Sequence, residues 1–521
     1  MLRWSNKQNN SSDCEQIDLI PVEVSMIDEF DKDPPEDREI EELDDFILNT
    51  PCHKLLIDEG YNLLLSGDNK TLMRHLLNNN FSNSVDLIYI DPPFMTNTNF
   101  YKQISVKSVA ANYPDKNMRQ MQYNDKWELA DYLQFMYDRL ILMKSLLKRT
   151  GSIYVHLDEN CVHYIKVLMD EVFGVENFRR DITWNTASLN VAGFKGIIRD
   201  NWIYGSGHIL FYTKSEDYTF NTQFNPRDKD FIERKYVHED EGGRYRITRR
   251  DNKIYLKDDH GEPMTNIWND ILSFNYAKIA CNESVFYPTQ KPENLLKRII
   301  KASSNSGDLV LDCFAGSGTT MAAAQSLGRR WIGIDANPVS IQTISKRIQR
   351  MLVNQPTAKK QFILFQRKDS VSGNAVKNNA LNFEIERDED TDKLILLLKS
   401  VDNQEILSAQ DKIKKISYKD KKKMKISATE RKKVTRKIEP NQIDMKALLD
   451  SYYIEIIKCR DQEHRPKPSI FHSMDIECPK KKHAPVSMKK QYKFSNDKQP
   501  IQFRIKTHDI FGNTFFAWQY I

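Results

Sequence analysis

Residues 85–94 read V-D-L-I-Y-I-D-P-P-F, and the way this run ends decides the fold. Val85, Leu87, Ile88 and Ile90 form a short apolar run with β-branched members. A run of this kind reads as a buried strand of a parallel sheet, covered on both faces. Pro92 and Pro93 then stop the pairing, because proline has no N–H to donate and its φ is fixed. Asp91 is thereby left at the carboxyl edge of the sheet, where open α/β sheets bind their ligands. Taken alone, D-P-P reads first as an ordinary strand exit, and the rest of the chain has to decide.

The flanking sequence alternates between strand and helix patterns. Residues 61–69, Y-N-L-L-L-S-G-D-N, are a strand and a turn, and T-L-M-R-H-L-L follows as a helix. Residues 131–148 carry Leu133, Met136, Leu140, Met143 and Leu147 at helical spacing, with Gly151 expected to end that helix. S-I-Y-V-H-L-D is a strand, residues 161–173 a helix, and G-H-I-L-F-Y-T-K a strand. Such alternation implies a doubly wound sheet. It breaks in a polar, aromatic and charged segment, then resumes with a helix near 295–302, the strand D-L-V-L-D-C-F, a glycine turn, a helix and the strand R-W-I-G-I-D. The expected division is an acidic arm (1–48), a first α/β half (49–215), an inserted module with short strands (216–285), a second half (286–355) and a C-terminal α+β region (356–521) with a basic linker at 405–440. No internal repeat is found.

A chain of 521 residues holds two to four domains and ample core. No apolar run approaches a membrane span, and the N-terminus M-L-R-W-S-N-K lacks a signal-peptide core. The seven cysteines are scattered and free of C-x-x-C pairs, which points to reduced thiols in a cytoplasm and to no structural metal site. The net charge of +5 is modest but uneven. Residues 13–45 are strongly acidic and read as a solvated arm. The run K-I-K-K-I-S-Y-K-D-K-K-K-M-K, 412–425, continues in basic character to Lys437 and reads as a solvated linker or as a phosphate-neutralising surface.

A second site is written in L-V-L-D-C-F-A-G-S-G-T-T, 309–320. Gly316 and Gly318 let a ligand approach the backbone. Thr319 and Thr320 are expected to cap the following helix, whose N–H groups favour an anion. About twenty residues on, I-G-I-D ends at Asp335, at the distance expected of an acid that accepts from two ribose hydroxyls. A nucleoside-bearing ligand follows. The lysine of a P-loop is missing, and glycine spacing alone leaves a dinucleotide oxidoreductase open.

With both sites in view, the chain resembles the β-class DNA amino-methyltransferases, and within them the modification (Mod) subunits of type III restriction systems. D-P-P-F (Asp91, Pro92, Pro93, Phe94) matches their catalytic motif. D-C-F-A-G-S-G-T-T matches their S-adenosylmethionine motif, with Asp312, Phe314, Gly316, Ser317, Gly318 and Thr319 as the matching positions. T-Q-K-P-E-N-L-L brings Gln290, Lys291 and Pro292 into the element that completes the cofactor pocket, and G-D-N brings Asp68 near the adenine. G-S-I-Y-V-H-L-D, H-Y-I-K-V-L-M-D-E-V-F-G and I-W-N-D-I look like the type III subgroup, and H-D-I-F-G-N resembles the tail of related enzymes. The resemblance covers about 55–350. M-T-N-T-N-F-Y stands where type III relatives commonly have N-T-G, and the length is short for a full Mod subunit.

The resemblance implies a Rossmann-like, S-adenosylmethionine-dependent methyltransferase sheet with circularly permuted motif order and a recognition insert. It implies methylation of adenine N6 in double-stranded DNA, with a homodimer and a restriction subunit as further partners. Asp91 and the Pro92 carbonyl are expected to accept hydrogen bonds from the target amino group, and Phe94 to stack an extruded base. Cytosine N4 is the alternative target, and a catalytically idle DNA-binding subunit the alternative of another class. Asp125 and Trp127 either shape the substrate loop or sit on a plain surface loop. His156 and His163 read as packing residues. In the insert, Arg244, Arg246, Arg249 and Arg250 are the expected DNA contacts.

Overall fold

The structure is a computed structural model. Its described residues are 7, 17–25, 37–96, 98–106, 116–186, 202, 205–274, 283–285, 287, 289–354, 362–367, 381–388, 393–401, 449–458, 471–473, 475–477, 489–493, 501–509 and 514–520. The basic run 412–437 lies outside them.

An eleven-stranded sheet organises the chain. Its strands are β1 (Leu19–Ser25), β2 (Asn62–Ser66), β3 (Val85–Ile90), β4 (Leu147–Leu157), β5 (Phe178–Asn185), β6 (Ser206–Thr213), β7 (Ile267–Trp268), β8 (Leu309–Asp312), β9 (Arg330–Asp335), β10 (Phe362–Arg367) and β11 (Phe471–Ser473). They lie in the order β7-β5-β6-β4-β3-β8-β9-β2-β10-β1-β11. The central run from β4 to β10 is parallel throughout. The antiparallel strand β6 sits between β4 and β5.

Burial explains why β3 belongs at the centre. Val85, Leu87, Ile88 and Ile90 are all 0% exposed. Val85, Ile88 and Ile90 pack into a core on one face, with Leu72, Met136 and Leu140. Leu87 and Tyr89 pack on the other face, with Leu295, Ile299 and Trp331. Alternating residues of one strand therefore feed two cores, as a strand covered on both faces requires. The chain leaves β3 towards β4 on one side and leaves β8 towards β9 on the other. The β3/β8 boundary is thus a topological switch point, with the D-P-P-F exit and the glycine turn side by side at its carboxyl end. The sequence order of these two strands, catalytic-type motif before glycine motif, is the permuted order expected.

Three points differ from what the sequence predicts. The helix expected to end at Gly151 spans Leu129–Leu146 and runs directly into β4, so Gly151 lies inside a strand. A Cβ there would approach Leu147 Cγ to 2.7 Å and the Asp86 carbonyl to 3.0 Å, which is why a glycine sits at this irregularity of the β3–β4 ladder. The acidic arm 1–48 is not wholly solvated. It contributes β1, whose Glu23 is buried and accepts from Gln349, and a helix, Asp37–Asn49, that buries Ile47. A hairpin that alternation did not reveal, Thr98–Val106 with Lys116–Asp125, follows the D-P-P-F loop directly. Beyond 354, every element among the described residues is a strand. Two small antiparallel sheets form there, and β11 joins the central sheet beside β1.

The excursion between β6 and β7 holds a three-stranded sheet, His238–Asp240, Gly243–Ile247 and Lys253–Tyr255, a helix, Lys229–Lys235, and a two-residue ladder of Phe224–Asn225 with Glu262–Pro263. The chain returns to the central sheet at Ile267–Trp268, with Trp268 buried. Among the described residues no helix is long and apolar enough to cross a membrane, and no three His, Cys, Asp or Glu gather as metal ligands.

Candidate active site

Asp91 follows the last residue of β3, and its carboxylate is half used. Oδ2 forms an ion pair with the Lys291 ammonium. Oδ1 is buried and has no hydrogen-bond partner. Burial pushes the carboxyl above its usual range, and the charge and hydrogen bond of Lys291 oppose that push. The loop beyond is held rigidly. Tyr132 donates its hydroxyl to the Pro93 carbonyl at 2.7 Å. Met95 has a φ of 58°, a left-handed conformation that is rare for a residue with a side chain. Asp125, fully buried, holds it there by accepting from the Met95 and Thr96 N–H groups, both at 2.9 Å, and from the Thr96 hydroxyl at 2.6 Å. Asp125 therefore shapes this loop and is not a surface residue.

Phe94 is half-buried between two neighbours. The His156 ring lies 6.3 Å away, tilted by 32°, and the Lys291 ammonium stands 5.2 Å from the ring centroid. His156 is buried and hydrogen-bonded through Nδ1 to Tyr89 at 2.9 Å. Burial, reinforced by the charge of Lys291, holds it well below its ordinary pKa, so it is neutral. Gly207 makes room for it, since a Cβ there would approach His156 Nε2 to 2.8 Å. The packing role expected of His156 thus coincides with a place in the wall beside Phe94.

The glycine turn stands at the end of the adjacent strand. Gly316 and Gly318 have φ values of 51° and 76°, and Gly318 packs so closely on Ile344 that a Cβ would approach its Cγ1 to 2.9 Å. The threonines do not cap the helix as expected; Gly318 is the N-cap residue and makes no side-chain cap. Their hydroxyls are drawn elsewhere by stronger or better placed acceptors. Thr320 donates to Asp312 Oδ2 at 2.5 Å, and Thr319 donates to the Lys291 carbonyl at 3.1 Å. Ser317 pairs with the Thr319 hydroxyl at 3.0 Å. Asp312 also accepts from the Phe314 N–H, yet burial, with Asp91 and Asp335 nearby, lifts its pKa to about 7. Asp335 accepts from the N–H groups of Gly316 and Asn337, each at 2.8 Å, which bolts β9 to the turn. Burial raises its pKa despite these bonds. Phe314 lies half-buried in a row with Phe135 and Trp127.

The remaining expected cofactor positions surround this turn in several roles. Gln290 faces back into its own loop, donating to the Glu283 carbonyl and accepting from the Val285 N–H, both at 2.9 Å. Pro292 begins the Glu293–Ser303 helix. Lys291 points to Asp91. Asp68 caps the Asn69–Asn78 helix through the Thr71 N–H and pairs with Arg139 at 2.9 Å. Two arginines that motif reading passed over join these pieces. Arg139 donates to Asn69 at 2.6 Å and lies 3.6 Å over Phe135, while Asn69 donates to the Cys313 carbonyl. Arg347 donates to the Ser317 carbonyl, the Thr319 hydroxyl and Glu293. Both arginines interrupt the apolar face of an amphipathic helix, beside Met136 and Leu140 in one case and Ile344 and Ile348 in the other. That is the signal in the sequence that would have found them.

In the insert the four arginines divide. Arg244 donates twice to the Tyr236 carbonyl, and Arg246 lies against the Tyr236 hydroxyl and Asp259. Arg249 and Arg250 are exposed at the hairpin turn.

The family model of DNA methylases, of the N6/N4 type, matches residues 85–347, just over half of the 521 residues, and so spans both strand ends just described. The chain belongs to the DNA methylase family. The DNA adenine methyltransferase YhdJ of Escherichia coli K12 is 31% identical over 268 residues, covering 51% of this chain and 76% of that protein. The type II methyltransferase M.EcaI of Enterobacter cloacae is 30% identical over 312 residues, covering 50% of this chain and 64% of the relative. The StyLTI Mod subunit, of a type III restriction-modification enzyme of Salmonella typhimurium LT2, is 30% identical over 342 residues, covering 51% and 50%. The chain therefore spans about two thirds of M.EcaI and half of the Mod subunit.

Proposed function

We propose that this protein is a site-specific methyltransferase that uses S-adenosylmethionine to methylate adenine N6 in double-stranded DNA, in a restriction-modification setting. The observation that carries the reading is the buried, unpartnered Oδ1 of Asp91 at the mouth of a switch point whose other strand ends in the glycine turn. Family membership and the adenine methyltransferase YhdJ among its relatives support it.

The residues fit such a cofactor. Asp91, Asp312 and Asp335 stand together at one sheet edge, close enough that the charges of Asp91 and Asp335 add to burial in raising the Asp312 carboxyl, and a cation entering beside them relieves that repulsion. The turn at Gly316 and Gly318 gives backbone access, and Asp335 stands beside it with lone pairs left for ribose hydroxyls. When bound, S-adenosylmethionine supplies an electrophilic methyl group on a sulfonium.

The chain's own residues prepare the nucleophile. The lone pair of an adenine amino nitrogen is delocalised into the ring. Hydrogen bonds from its N–H₂ to Asp91 Oδ1 and to the Pro92 carbonyl favour a pyramidal nitrogen with a localised pair. Tyr132, Asp125 and the prolines hold these acceptors still, so orientation is supplied before the base arrives. Phe94 offers a ring face to a base that has left the helix. Once alkylated, the nitrogen is acidic and releases its proton without a strong base.

Arg249 and Arg250, exposed on the insert, are the side chains of the four best placed for DNA, whereas Arg244 and Arg246 hold their own module together. A second copy of the chain is one partner this reading implies; a restriction subunit is the other, since StyLTI Mod is named as a subunit of a type III restriction-modification enzyme. Methylation-aware sequencing of DNA from a methylation-free host expressing this protein tests the reading. N6-methyladenine at one short motif is expected. N4-methylcytosine instead, or unmodified DNA, would overturn it.

A further inference from the structure

Sequence motifs put Lys291 in the cofactor pocket, yet its ammonium is on the acid of the other motif. We infer that Lys291 is the positioning residue of the catalytic carboxylate, tying down Oδ2 of Asp91 so that Oδ1 alone faces the incoming amino group. The inference rests on the methyl-transfer reading above and adds a residue to it.

Three observations carry it. The ion pair is nearly closed to solvent, with side-chain exposures of 14% for Lys291 and 18% for Asp91. The second carboxylate oxygen is buried and unpartnered, which is costly unless a ligand supplies the missing donor. The ammonium also stands over Phe94, so one cation touches both the acid and the proposed stacking ring.

The backbone explains how the lysine is held. Its carbonyl accepts from Thr319 in the glycine turn, and the helix that starts two residues later is anchored by Glu293 on Arg347, which also grips that turn. Among the described residues, the titratable groups facing Asp91 are Lys291, Tyr89 from its own strand, Asp312 from the neighbouring strand, and Tyr287. Of these only Lys291 is a cation. Without it, burial and Asp312 would both favour a protonated Asp91, whose O–H points a donor where an acceptor is needed.

The test uses the full chain with Lys291→Met and Lys291→Arg, each alone, and Lys291→Met in an Asp91→Ala background. Single-turnover transfer of labelled methyl groups is followed at saturating DNA and cofactor across about pH 6–9. Cofactor affinity is measured by calorimetry. Lys291→Met is expected to slow transfer by about ten- to a hundredfold at neutral pH, the worth of one charge-assisted hydrogen bond. Its acid limb should move to higher pH, because loss of the cation raises the pH at which Asp91 ionises. Lys291→Arg should recover most of the rate, and Lys291→Met should cost nothing further once Asp91 is gone. Should Lys291→Met fail to fold, Lys291→Gln is read in the same way. A wild-type rate and profile in the neutral variant, a loss confined to cofactor affinity, or the same loss in the Asp91→Ala background would each overturn the inference. Wild-type protein that methylates no DNA would overturn the methyl-transfer reading itself, and this inference with it.

Discussion

Asp125→Ala should loosen the loop that carries Pro92 and Phe94. The carboxylate is fully buried and accepts three hydrogen bonds, two from the backbone of Met95 and Thr96 and one from the Thr96 hydroxyl. Removing it strands two backbone donors, at about 1–3 kcal/mol each when they stay dry. Met95 and Thr96 are half-buried, so water reaches part of the loop and the lower half of that range applies. Relaxation of Met95 from its left-handed φ returns about 1 kcal/mol. The net expectation is a loss of about 1–3 kcal/mol, read as a lower urea midpoint of the transition that reports the central sheet. Methyl transfer should fall as well, because the acceptors then sample several positions. Cofactor affinity should change little, since Asp125 touches the D-P-P-F loop and not the glycine turn. A variant matching the wild type in both urea midpoint and single-turnover rate would refute the reasoning and return Asp125 to a passive role.

Asp335→Ala should weaken cofactor binding about ten- to a hundredfold while DNA affinity holds, and calorimetry showing an unchanged cofactor dissociation constant would refute its assignment. Arg249→Ala and Arg250→Ala should each lower DNA affinity and make its salt dependence shallower by about one unit of slope, measured by fluorescence anisotropy at several salt concentrations. Arg244→Ala should instead destabilise the insert, seen as faster proteolysis between 224 and 263, because two hydrogen bonds to the Tyr236 carbonyl are lost.

The parallel core was legible because its signals are local. The β3 run, the D-P-P exit and the glycine turn each depend on a handful of adjacent residues, and their types fix backbone behaviour. Spacing also placed Asp335 correctly at a strand end near the turn. What stayed hidden depends on contacts between distant positions. Lys291 lies 200 residues from Asp91, and nothing in T-Q-K-P says which acid the ammonium will meet. Thr319 and Thr320 carry the residue type of a helix cap, but Asp312 and the Lys291 carbonyl compete for their hydroxyls and win. The Thr98–Val106 hairpin was missed because its strands are polar and mixed in period, and Asp125 gains its meaning only once that hairpin closes. Gly151 misled in the opposite sense. A glycine after a helical run suggests a stop, but here it serves close packing at an irregular strand junction.

The central claim is that Asp91 acts on the amino group of the target base and not on the cofactor. Single-turnover transfer of labelled methyl groups by Asp91→Ala, at saturating DNA and S-adenosylmethionine, tests it most directly when paired with cofactor calorimetry. Transfer should fall by about a hundred- to a thousandfold, by analogy with the loss of one preorganised hydrogen bond made in the transition state. Cofactor affinity should stay within about threefold of wild type. Transfer at nearly the wild-type rate, or a loss accounted for entirely by cofactor binding, would contradict the account and leave D-P-P-F as no more than a strand exit.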